Sequence, residues 1–371
     1  MVHGGRAAKL PGSEPCLNKD ELWPITVVVL NLQMNSDSQN RFVDTNLAAS
    51  QSILLTGANG FIGRHVARKL ASLTSVQLVC ILRDGAQNPY AESLTKAGVV
   101  IVRGNFYDQA VIKTLFEQYQ FQQVIHLAAI RGGGNATAAE FQEVNVKGTE
   151  RLLCEAYERG AKKFIFCSSV GVHGTIPLRV PAEIQSPLRG DNQYHQSKIE
   201  AEQAVQAYIQ KGLNAYIVRP TITYGPGDDG FPQTLVRLVK GRLLLLPASN
   251  HQVHLVDVER VAEVFFNLVR NEQFAQRIFV AGDIEPTTLK DLADWIHWHW
   301  YRRSYPSYFR LPDWMFKLAF HLFQRIGNEK WAARTALLSN DWHYQCAETY
   351  RLLDMEAVPT REAFGRFLAT C

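Results

Sequence analysis

The sequence predicts an α/β protein with a doubly wound parallel sheet and a smaller, mostly helical C-terminal region. From residue 52 onward, short apolar runs typical of buried strands alternate with amphipathic helices, and this alternation decays after Pro220. Residues 288–350 then show helical periodicity and many aromatic side chains. Apolar strands that alternate with helices form a parallel sheet covered by helices on both faces.

The first predicted strand, residues 52–56, passes into a helix through a loop with three glycines. Apolar positions recur at helical spacing from Ile62 onward. Gly57 can form the tight turn, Gly60 lets the backbone approach a pyrophosphate, and Gly63 lets the helix pack closely on the strand. Because the first N–H groups of a helix have no partners within it, this loop predicts a Rossmann-type dinucleotide-binding site.

The other elements follow in chain order. Further strands are predicted at 77–82, 99–102, 123–127, 163–167, 215–218 and 277–281. Further helices are predicted at 109–120, 140–159, 195–210 and 260–270. We divide the chain into a poorly ordered N-terminal extension (1–50), a dinucleotide-binding domain (51–225) and a substrate-binding region (226–371), which is interleaved with that domain through the strand near 277–281.

The composition favours a soluble enzyme over a nucleic-acid-binding or membrane-spanning protein. Hydrophobic residues make up 46% of the 371, enough for a large core, and a net charge of +4 is too small to indicate nucleic acid binding. We find no run of the roughly 20 apolar residues needed to cross a bilayer. The six cysteines are scattered without a CxxC pair, which argues against a zinc site and for a reducing compartment. We therefore expect a cytoplasmic protein without a metal.

Tyr194 and Lys198 stand four residues apart at the start of a predicted helix, so both side chains lie on one face. A phenol ionises at about pH 10 and becomes an effective base only where a neighbouring ammonium stabilises its phenolate. Tyr194 is thus a candidate proton donor and acceptor, and Lys198 would also hold the cofactor ribose. The strand before them ends in Ser168 and Ser169, at the edge where α/β sheets bind ligands. A hydroxyl there can hydrogen-bond the reacting oxygen, whereas we interpret Ser168 as a strand-end cap.

These segments belong to an ordered series that resembles the extended short-chain dehydrogenases/reductases, the family of sugar-nucleotide epimerases, dehydratases and 3β-hydroxysteroid dehydrogenases. The matching segments are TGANGFIG (56–63), HLAA (126–129), NVKGT (145–149), FCSSVGVHG (166–174), YHQSK (194–198) and Arg219-Pro220 with YGPG (224–227). The series covers about residues 52–280.

The resemblance implies a set of site residues. Ser169, Tyr194 and Lys198 would form the catalytic triad, with Asn145 as a supporting residue in the same network. The implied cofactor-binding residues are Gly57, Asn59, Gly60, Phe61, Ile62, Gly63, Arg83, Asn105, Phe106, Leu127, Ala128, Ala129, Tyr194, Lys198 and Pro220. It also implies NADP or NAD as cofactor, and a homodimer whose four-helix contact would use the helices at 109–120 and 140–159.

Two departures from the family pattern bear on the cofactor. The second strand usually ends in an acid that binds the adenosine ribose, but here Arg83 comes first and Asp84 follows. A guanidinium suits a 2′-phosphate and can stack on adenine, so NADP is favoured. The alternative is a solvated Arg83 with Asp84 on the ribose. Asn105 replaces the aspartate usual near the adenine, and its amide can make similar contacts.

A third departure bears on the reaction. Val170 and Gly171 follow Ser169 at the positions where the family's dehydratases carry acids. Neither side chain can transfer a proton, so dehydration is not expected. Epimerisation and simple oxidoreduction remain open, because both need only the triad and a hydride-carrying cofactor.

Residues 295–326 are rich in aromatic side chains with flanking arginines. We favour core packing of a helical lobe, and leave open a pocket wall or a helix that makes peripheral contact with a membrane. His297 and His299 have no carboxylate at metal-ligand spacing and are interpreted as ordinary histidines. The final Phe364–Phe367 is interpreted as part of a terminal tail.

The leading hypothesis is NAD(P)-dependent hydride transfer at a secondary alcohol or ketone of a nucleotide-linked sugar, by an epimerase or by a keto-reductase/dehydrogenase. One alternative is a 3β-hydroxysteroid dehydrogenase-like enzyme acting on a hydrophobic alcohol. Another is a cofactor-sensing regulatory protein without turnover, against which the complete Ser/Tyr/Lys set argues.

Overall fold

The computed structural model describes residues 51–83, 89–132, 134–271 and 273–371. Two sequence-based expectations lie outside these residues: the N-terminal extension over 1–50, and Asp84 as the alternative ribose ligand.

A seven-stranded parallel sheet forms the centre of the fold. The strands in this part of the chain are β1 (Gln51–Thr56), β2 (Val76–Leu82), β3 (Val100–Arg103), β4 (Phe121–His126), β5 (Lys163–Cys167), β6 (Ala215–Pro220), β7 (Ile222–Tyr224), β8 (Leu246–Pro247), β9 (Gln252–Val253), β10 (Leu255–Asp257), β11 (Ile278–Ala281), β12 (Thr287–Thr288) and β13 (Arg310–Leu311). The sheet order is β11-β6-β5-β4-β1-β2-β3, and all of its pairs are parallel. The chain therefore winds outward in both directions from β1, which confirms the predicted doubly wound fold.

Helices cover both faces of this sheet, and further helices belong to the C-terminal part of the chain. They are α1 (Phe61–Leu70), α2 (Pro89–Lys96), α3 (Gln109–Gln118), α4 (Ala138–Phe141), α5 (Gly148–Glu158), α6 (Gln193–Gln210), α7 (Phe231–Lys240), α8 (Val258–Arg270), α9 (Leu289–Tyr301), α10 (Asp313–Arg325), α11 (Glu329–Leu338), α12 (Ala347–Leu353) and α13 (Thr360–Leu368). A π-helical turn, Gln142–Lys147, joins α4 to α5, and short 3₁₀ turns occupy Val170–His173 and Ser307–Phe309.

The alternation of side chains along the strands gives the sheet two cores. On β1, Ile53 and Leu55 contribute to the core that α1 and α8 cover, whereas Leu54 contributes to the core that α3, α5 and α6 cover. Burying a side chain of this size typically stabilises the fold by about 1.5–3 kcal/mol. Because both faces are buried, the strands are almost continuously apolar, which is the pattern that predicted a parallel sheet.

The C-terminal part adds short strand pairs and more helices. β7 pairs with β10, β9 with β12, and β8 with β13. The interpretation of the last phenylalanines as a tail is wrong, because they belong to α13 and are buried. The Phe364 and Phe367 rings lie 5.1 and 5.7 Å from the Tyr224 ring, so α13 completes the core beside β7.

Most predicted boundaries agree with the structure. Each predicted strand of the central sheet starts and ends within two residues of the observed one. The helix expected at 140–159 is present, but its middle is the π-helical turn. The sequence analysis did not predict α2 or α7, although Leu235, Val236 and Val239 give α7 a clear helical period.

Candidate active site

The backbone of the loop between β1 and α1 packs closely against the backbone that follows β4 and against the start of α1. Gly57 has φ +77°, and an added Cβ there would lie 2.6 Å from the Ala128 nitrogen. A Cβ on Gly63 would lie 1.9 Å from the Gly57 carbonyl oxygen. Side chains at these two positions would push the loop away from β4 and from α1, so glycine is required at both. Gly60 is the N-cap residue of α1 and has no side chain to cap it, which leaves the first N–H groups of α1 open to a ligand.

A cavity of about 910 Å³ opens at the carboxyl ends of the central strands. Of the residues predicted to bind the cofactor, those lining it are Gly57, Asn59, Gly60, Phe61, Ile62, Gly63, Arg83, Phe106, Leu127, Ala128, Ala129, Tyr194, Lys198 and Pro220. Ser169, predicted as catalytic, lines it too. The structure thus brings the glycine loop and the Ser/Tyr/Lys set to one cavity.

Arg83 and Asn105 take different places relative to this cavity. Arg83 directly follows β2, is exposed and contributes to the lining. Asn105 is half-buried and lies outside the described lining, which includes its neighbour Phe106 instead. The Asn105 carbonyl accepts a hydrogen bond from the Asp108 N–H in the turn before α3.

Tyr194 lies at the start of α6, opposite Ser169. Burial raises the pKa of Tyr194 to about 12, and a hydrogen bond with the Ser169 hydroxyl only partly offsets this effect. The phenol is therefore fully protonated near neutral pH. The Ser169 hydroxyl also accepts a hydrogen bond from the Gly171 N–H, at 3.0 Å.

Lys198 lies one turn further along α6 and is buried. Its Nζ donates to the Cys167 carbonyl oxygen at 2.8 Å and lies 4.8 Å from the centre of the Phe166 ring. Burial lowers the pKa of Lys198. The ammonium is thus held at the end of β5, within the cavity lining but hydrogen-bonded to backbone rather than to the phenol.

Asn145 acts behind the cavity and does not belong to its described lining. Its amide Nδ2 donates to the Ile130 carbonyl and to the Ser197 hydroxyl, each at 3.0 Å. Its Oδ1 accepts from the Ile130 N–H at 2.8 Å. Ser197 in turn donates to the Tyr194 carbonyl at 2.8 Å. Asn145 therefore ties the loop after β4 to the first turn of α6, so the structure supports a positioning role.

Two buried hydroxyls of the lining were not among the predicted site residues. Ser168 and Thr221 are each 4% exposed, and neither hydroxyl has a hydrogen-bond partner within the described chain. The interpretation of Ser168 as a cap is wrong, because the capping hydroxyl at the end of β5 is that of Ser169. Leaving such groups unpaired costs about 1–3 kcal/mol each. The signal for Thr221 was its place directly after the predicted cofactor residue Pro220.

These orphaned hydroxyls fit a nicotinamide dinucleotide. Such a cofactor carries amide, ribose hydroxyl and phosphate groups that can pair with Ser168 and Thr221, and the glycine loop offers it backbone N–H groups. Lys198 and Tyr194 line the same space. The residues present therefore suit the cofactor that the sequence predicts.

His195 fills the space next to Ser169. A Cβ added to Gly171 would lie 2.5 Å from both Cδ2 and Nε2 of this imidazole. His195 Nδ1 lies 2.6 Å from the Asp191 carboxylate. Burial alone would raise the pKa of Asp191, but hydrogen bonds from His195 and from the Thr175 N–H lower it to about 2. An imidazole thus occupies the place that an acid at position 171 would need.

We call the glycine loop of the cavity, with Gly57 and Gly63, its floor, and the exposed pair of Arg131 and Asp229 its mouth. The two parts are built differently. Arg131 and Asp229 form an ion pair with a distance of 3.3 Å, and both side chains are well exposed. The positive charge of Arg131 acts to lower the pKa of Tyr194, although burial outweighs it. Ile222 and Phe231 add apolar surface to the lining.

The residues that the structure describes contain neither a metal-binding cluster nor a membrane-spanning helix. Across 51–83, 89–132, 134–271 and 273–371, no group of three or more His, Cys, Asp or Glu side chains could hold a metal ion. Within those ranges, no helix is both long and apolar enough to span a membrane.

Comparison with known proteins yields a family and a set of distant relatives. The model of the NAD dependent epimerase/dehydratase family matches residues 53–282, a range that contains the glycine loop and the Ser/Tyr/Lys set. A UDP-glucose 4-epimerase from Vibrio cholerae is 29% identical over 241 residues, covering 63% of this chain and 71% of that protein. Among similar curated proteins the matched stretch spans between 46% and 77% of their length.

Solved structures share the fold at low sequence identity. A UDP-glucose 4-epimerase from Thermotoga maritima, solved with UDP-glucose, has a TM-score of 0.66 at 18% identity, covering 86% of this chain and 98% of that one. A UDP-glucose 4-epimerase from Thermus thermophilus, solved with NAD, has a TM-score of 0.66 at 20% identity, with the same coverage of 86% and 98%.

Proposed function

We propose, from the premise that this chain belongs to the NAD dependent epimerase/dehydratase family, that it epimerises a nucleotide-linked sugar. The observation that carries the proposal is the convergence of Ser169, Tyr194 and Lys198 on the cavity that the glycine loop lines. In this reaction a secondary alcohol loses a hydride from its carbon and a proton from its oxygen. The resulting ketone rotates in the site, the hydride returns to the opposite face of the carbon, and the proton returns to the oxygen.

The residues of the chain divide this chemistry among them. The bound nicotinamide cofactor supplies the acceptor and later the donor of the hydride. Ser169 holds the reacting oxygen by a hydrogen bond, and Tyr194 exchanges the proton with it. Burial raises the pKa of Tyr194 to about 12, so its phenol carries the proton that a ketone oxygen would take up. To accept a proton it needs positive charge nearby: Arg131 acts in that direction, and we assign the same role to Lys198, which lines the same cavity.

Dehydration is not part of the proposal. Elimination of water needs a proton-transferring side chain directly after the catalytic hydroxyl, where this chain has Val170 and Gly171. The His195 imidazole lies where a side chain at 171 would go, and it is held by Asp191. The lack of an acid at positions 170 and 171 is what favours an oxidation–reduction cycle at a single carbon.

A nucleotide sugar is the substrate class that we propose. Related proteins that match this chain are UDP-glucose 4-epimerases. Arg131 at the mouth offers a guanidinium to the diphosphate of such a substrate, a geometry that guanidinium groups suit well. A hydrophobic alcohol is the second candidate, favoured by the apolar side chains of Ile222 and Phe231 in the lining.

The same proposal includes a cofactor preference, a homodimer and a peripheral membrane contact. Arg83, exposed in the lining at the end of β2, supports a preference for NADP over NAD. A homodimer through α3 and α5, and peripheral membrane contact through part of residues 295–326, complete it.

The proposal is tested by incubating the protein with UDP- and dTDP-hexoses, with NAD or NADP added, and separating the sugars by chromatography. We expect interconversion of two epimers with only catalytic amounts of cofactor. Reduced cofactor accumulating in step with a keto product would instead identify a dehydrogenase. Tight cofactor binding without conversion of sugars or hydrophobic alcohols would identify a sensor.

A further inference from the structure

Helix α10 exposes a row of large apolar side chains. Trp314, Leu318, Leu322 and Ile326 follow one another at intervals of four residues and are 63%, 62%, 56% and 63% exposed. At this spacing they lie on one face of the helix, where a surface helix of a globular protein normally carries polar groups.

The same helix already has a separate inner face. Phe316 is buried, and Ala319, Phe320 and Phe323 are half-buried. The Phe323 ring stacks at 5.9 Å on Trp331 of α11, whose side chain is itself 49% exposed. The outer row is therefore not needed to attach α10 to the protein.

Basic side chains accompany the exposed row. Lys317, His321 and Arg325 are exposed and form a parallel row one residue before it, about a quarter-turn around the helix. The Asp313 carboxylate at the start of α10 accepts hydrogen bonds from the Ser249 N–H and hydroxyl. Residues 313–338 contain four Lys and Arg residues (317, 325, 330 and 334) against two acids (313 and 329).

Further exposed apolar side chains lie just before the paired strands β8 and β13. β8 pairs with β13, which leads directly into α10, and this pairing sets Arg310 opposite Leu246. Leu243 and Leu245, just before β8, are exposed, as is Tyr308 before β13. Exposed apolar area that extends over several elements in this way marks an interaction surface.

We propose that this surface, comprising the outer face of α10 with Trp331, Leu243, Leu245 and Tyr308, docks on an anionic lipid membrane. A helix with tryptophan and aliphatic residues on one face and Lys and Arg beside it lies in the membrane interface. The described chain has no helix that could span the bilayer, so the docking is superficial. The proposal makes specific the peripheral membrane contact named above, and it does not depend on the proposed reaction.

The charges favour lipid over a second copy of the chain. In an antiparallel two-fold contact through α10, the basic row would lie beside the same row of the partner, and like charges repel. Anionic headgroups complement that row, at a gain of about fivefold in affinity per basic residue.

From the sequence we favoured core packing for residues 295–326 and left membrane contact open, and the surface proposed here uses the second half of that range, from Tyr308 to Ile326. α9 is largely committed to the core, since Leu292, Ala293, Ile296 and His297 are fully buried. The surface begins instead with the segment before α10 and extends into α11.

The test is co-sedimentation of the full-length protein with vesicles of phosphatidylcholine alone or mixed with phosphatidylserine. We expect binding to the mixed vesicles that weakens with salt, and at least tenfold weaker binding for Leu318→Ser combined with Leu322→Ser. Leu178→Ser is the matched control, because Leu178 is 63% exposed and lies outside this surface. It should bind like the parent. Lys317→Gln combined with Arg325→Gln removes two basic residues and should weaken binding about 25-fold, on mixed vesicles only.

Three outcomes would overturn the proposal. The first is no binding of the parent protein to mixed vesicles, and the second is equal binding by the Leu318/Leu322 variant and the Leu178 control. The third is a parent dimer that the Leu318/Leu322 variant converts to monomer in sedimentation velocity, which would make a second copy the occupant. Equal melting temperatures of all variants, checked by circular dichroism, ensure that a loss of binding is not a loss of fold.

Discussion

The floor and the mouth of the cavity are built from different kinds of interaction. On the floor, backbone meets backbone, and Gly57 and Gly63 leave no space for a Cβ. At the mouth, Arg131 and Asp229 form an exposed ion pair on loops. Buried, close-packed backbone geometry tolerates little change, whereas exposed ion pairs contribute about 0–1 kcal/mol and can be replaced. Under the proposed function, the cofactor would be bound by the rigid part of the site and the substrate by the part whose side chains can be exchanged.

We expect the largest effect on turnover from substituting Tyr194, which lines the cavity together with both the glycine loop and Arg131. Tyr194→Phe removes the transferable proton but leaves the ring, so turnover should fall by about 10²–10⁴-fold while cofactor affinity changes little. Steady-state kinetics and cofactor titration measure the two quantities. Tyr157→Phe, remote from the cavity lining and 42% exposed, is the control and should keep full activity. More than about a tenth of parental turnover in the Tyr194 variant would remove this residue from the mechanism.

A pair of glycine variants tests the contrast between floor and mouth directly. Gly63→Ala sets a methyl group 1.9 Å from the Gly57 oxygen, so we expect destabilisation of about 1–3 kcal/mol and at least tenfold weaker cofactor binding. A Cβ on Gly134, in the loop that follows Arg131, meets nothing within 4 Å, so Gly134→Ala should leave both properties unchanged. Melting curves measure the stability of each variant, and fluorescence titration measures its cofactor affinity. Equal effects of the two substitutions would contradict the distinction.

The preference between NADP and NAD should depend on the Arg83 side chain, which lines the cavity directly after β2. If Arg83 pairs with a 2′-phosphate, NADP binds more tightly than NAD, and Arg83→Asp reverses the preference. A charge-assisted hydrogen bond contributes about 1.5–3 kcal/mol, or roughly ten- to a hundredfold in the affinity ratio. Because the side chain is exposed, added salt should reduce the preference. NAD binding at least as tightly as NADP to the parent protein would refute this role of Arg83.

The smallest effect is expected at the mouth. Arg131→Gln should raise the KM for a nucleotide sugar by about tenfold or less, because the contact is exposed and partly satisfied by Asp229. Cofactor affinity should not change. Asp229→Asn serves as the companion variant, since it keeps Arg131 but removes its partner. An unchanged KM in the Arg131 variant would exclude Arg131 as a contact of the substrate diphosphate.

The same contrast explains what the sequence could predict. Gly57 and Gly63 are required by the backbone conformation of the loop, and the strands are short apolar runs. The loop, the central strands and the residues lining the floor were therefore predictable from short sequence patterns. The orphaned hydroxyls of Ser168 and Thr221 were not, because a lack of partners is a property of the folded environment. The buried α13 was missed for a similar reason, since its aromatic residues acquire a core only when they reach Tyr224.

Epimerisation of a nucleotide sugar through a retained hydride is the central claim, and isotope tracing tests it most directly. The measurement uses a UDP-hexose deuterated at the reacting carbon, in ordinary water, with mass spectrometry of the separated products. The account predicts an epimer that keeps its deuterium at that carbon, with none passed to the cofactor in solution. A keto product that has lost its deuterium to free cofactor, or an epimer that has exchanged it for solvent hydrogen, would contradict the account.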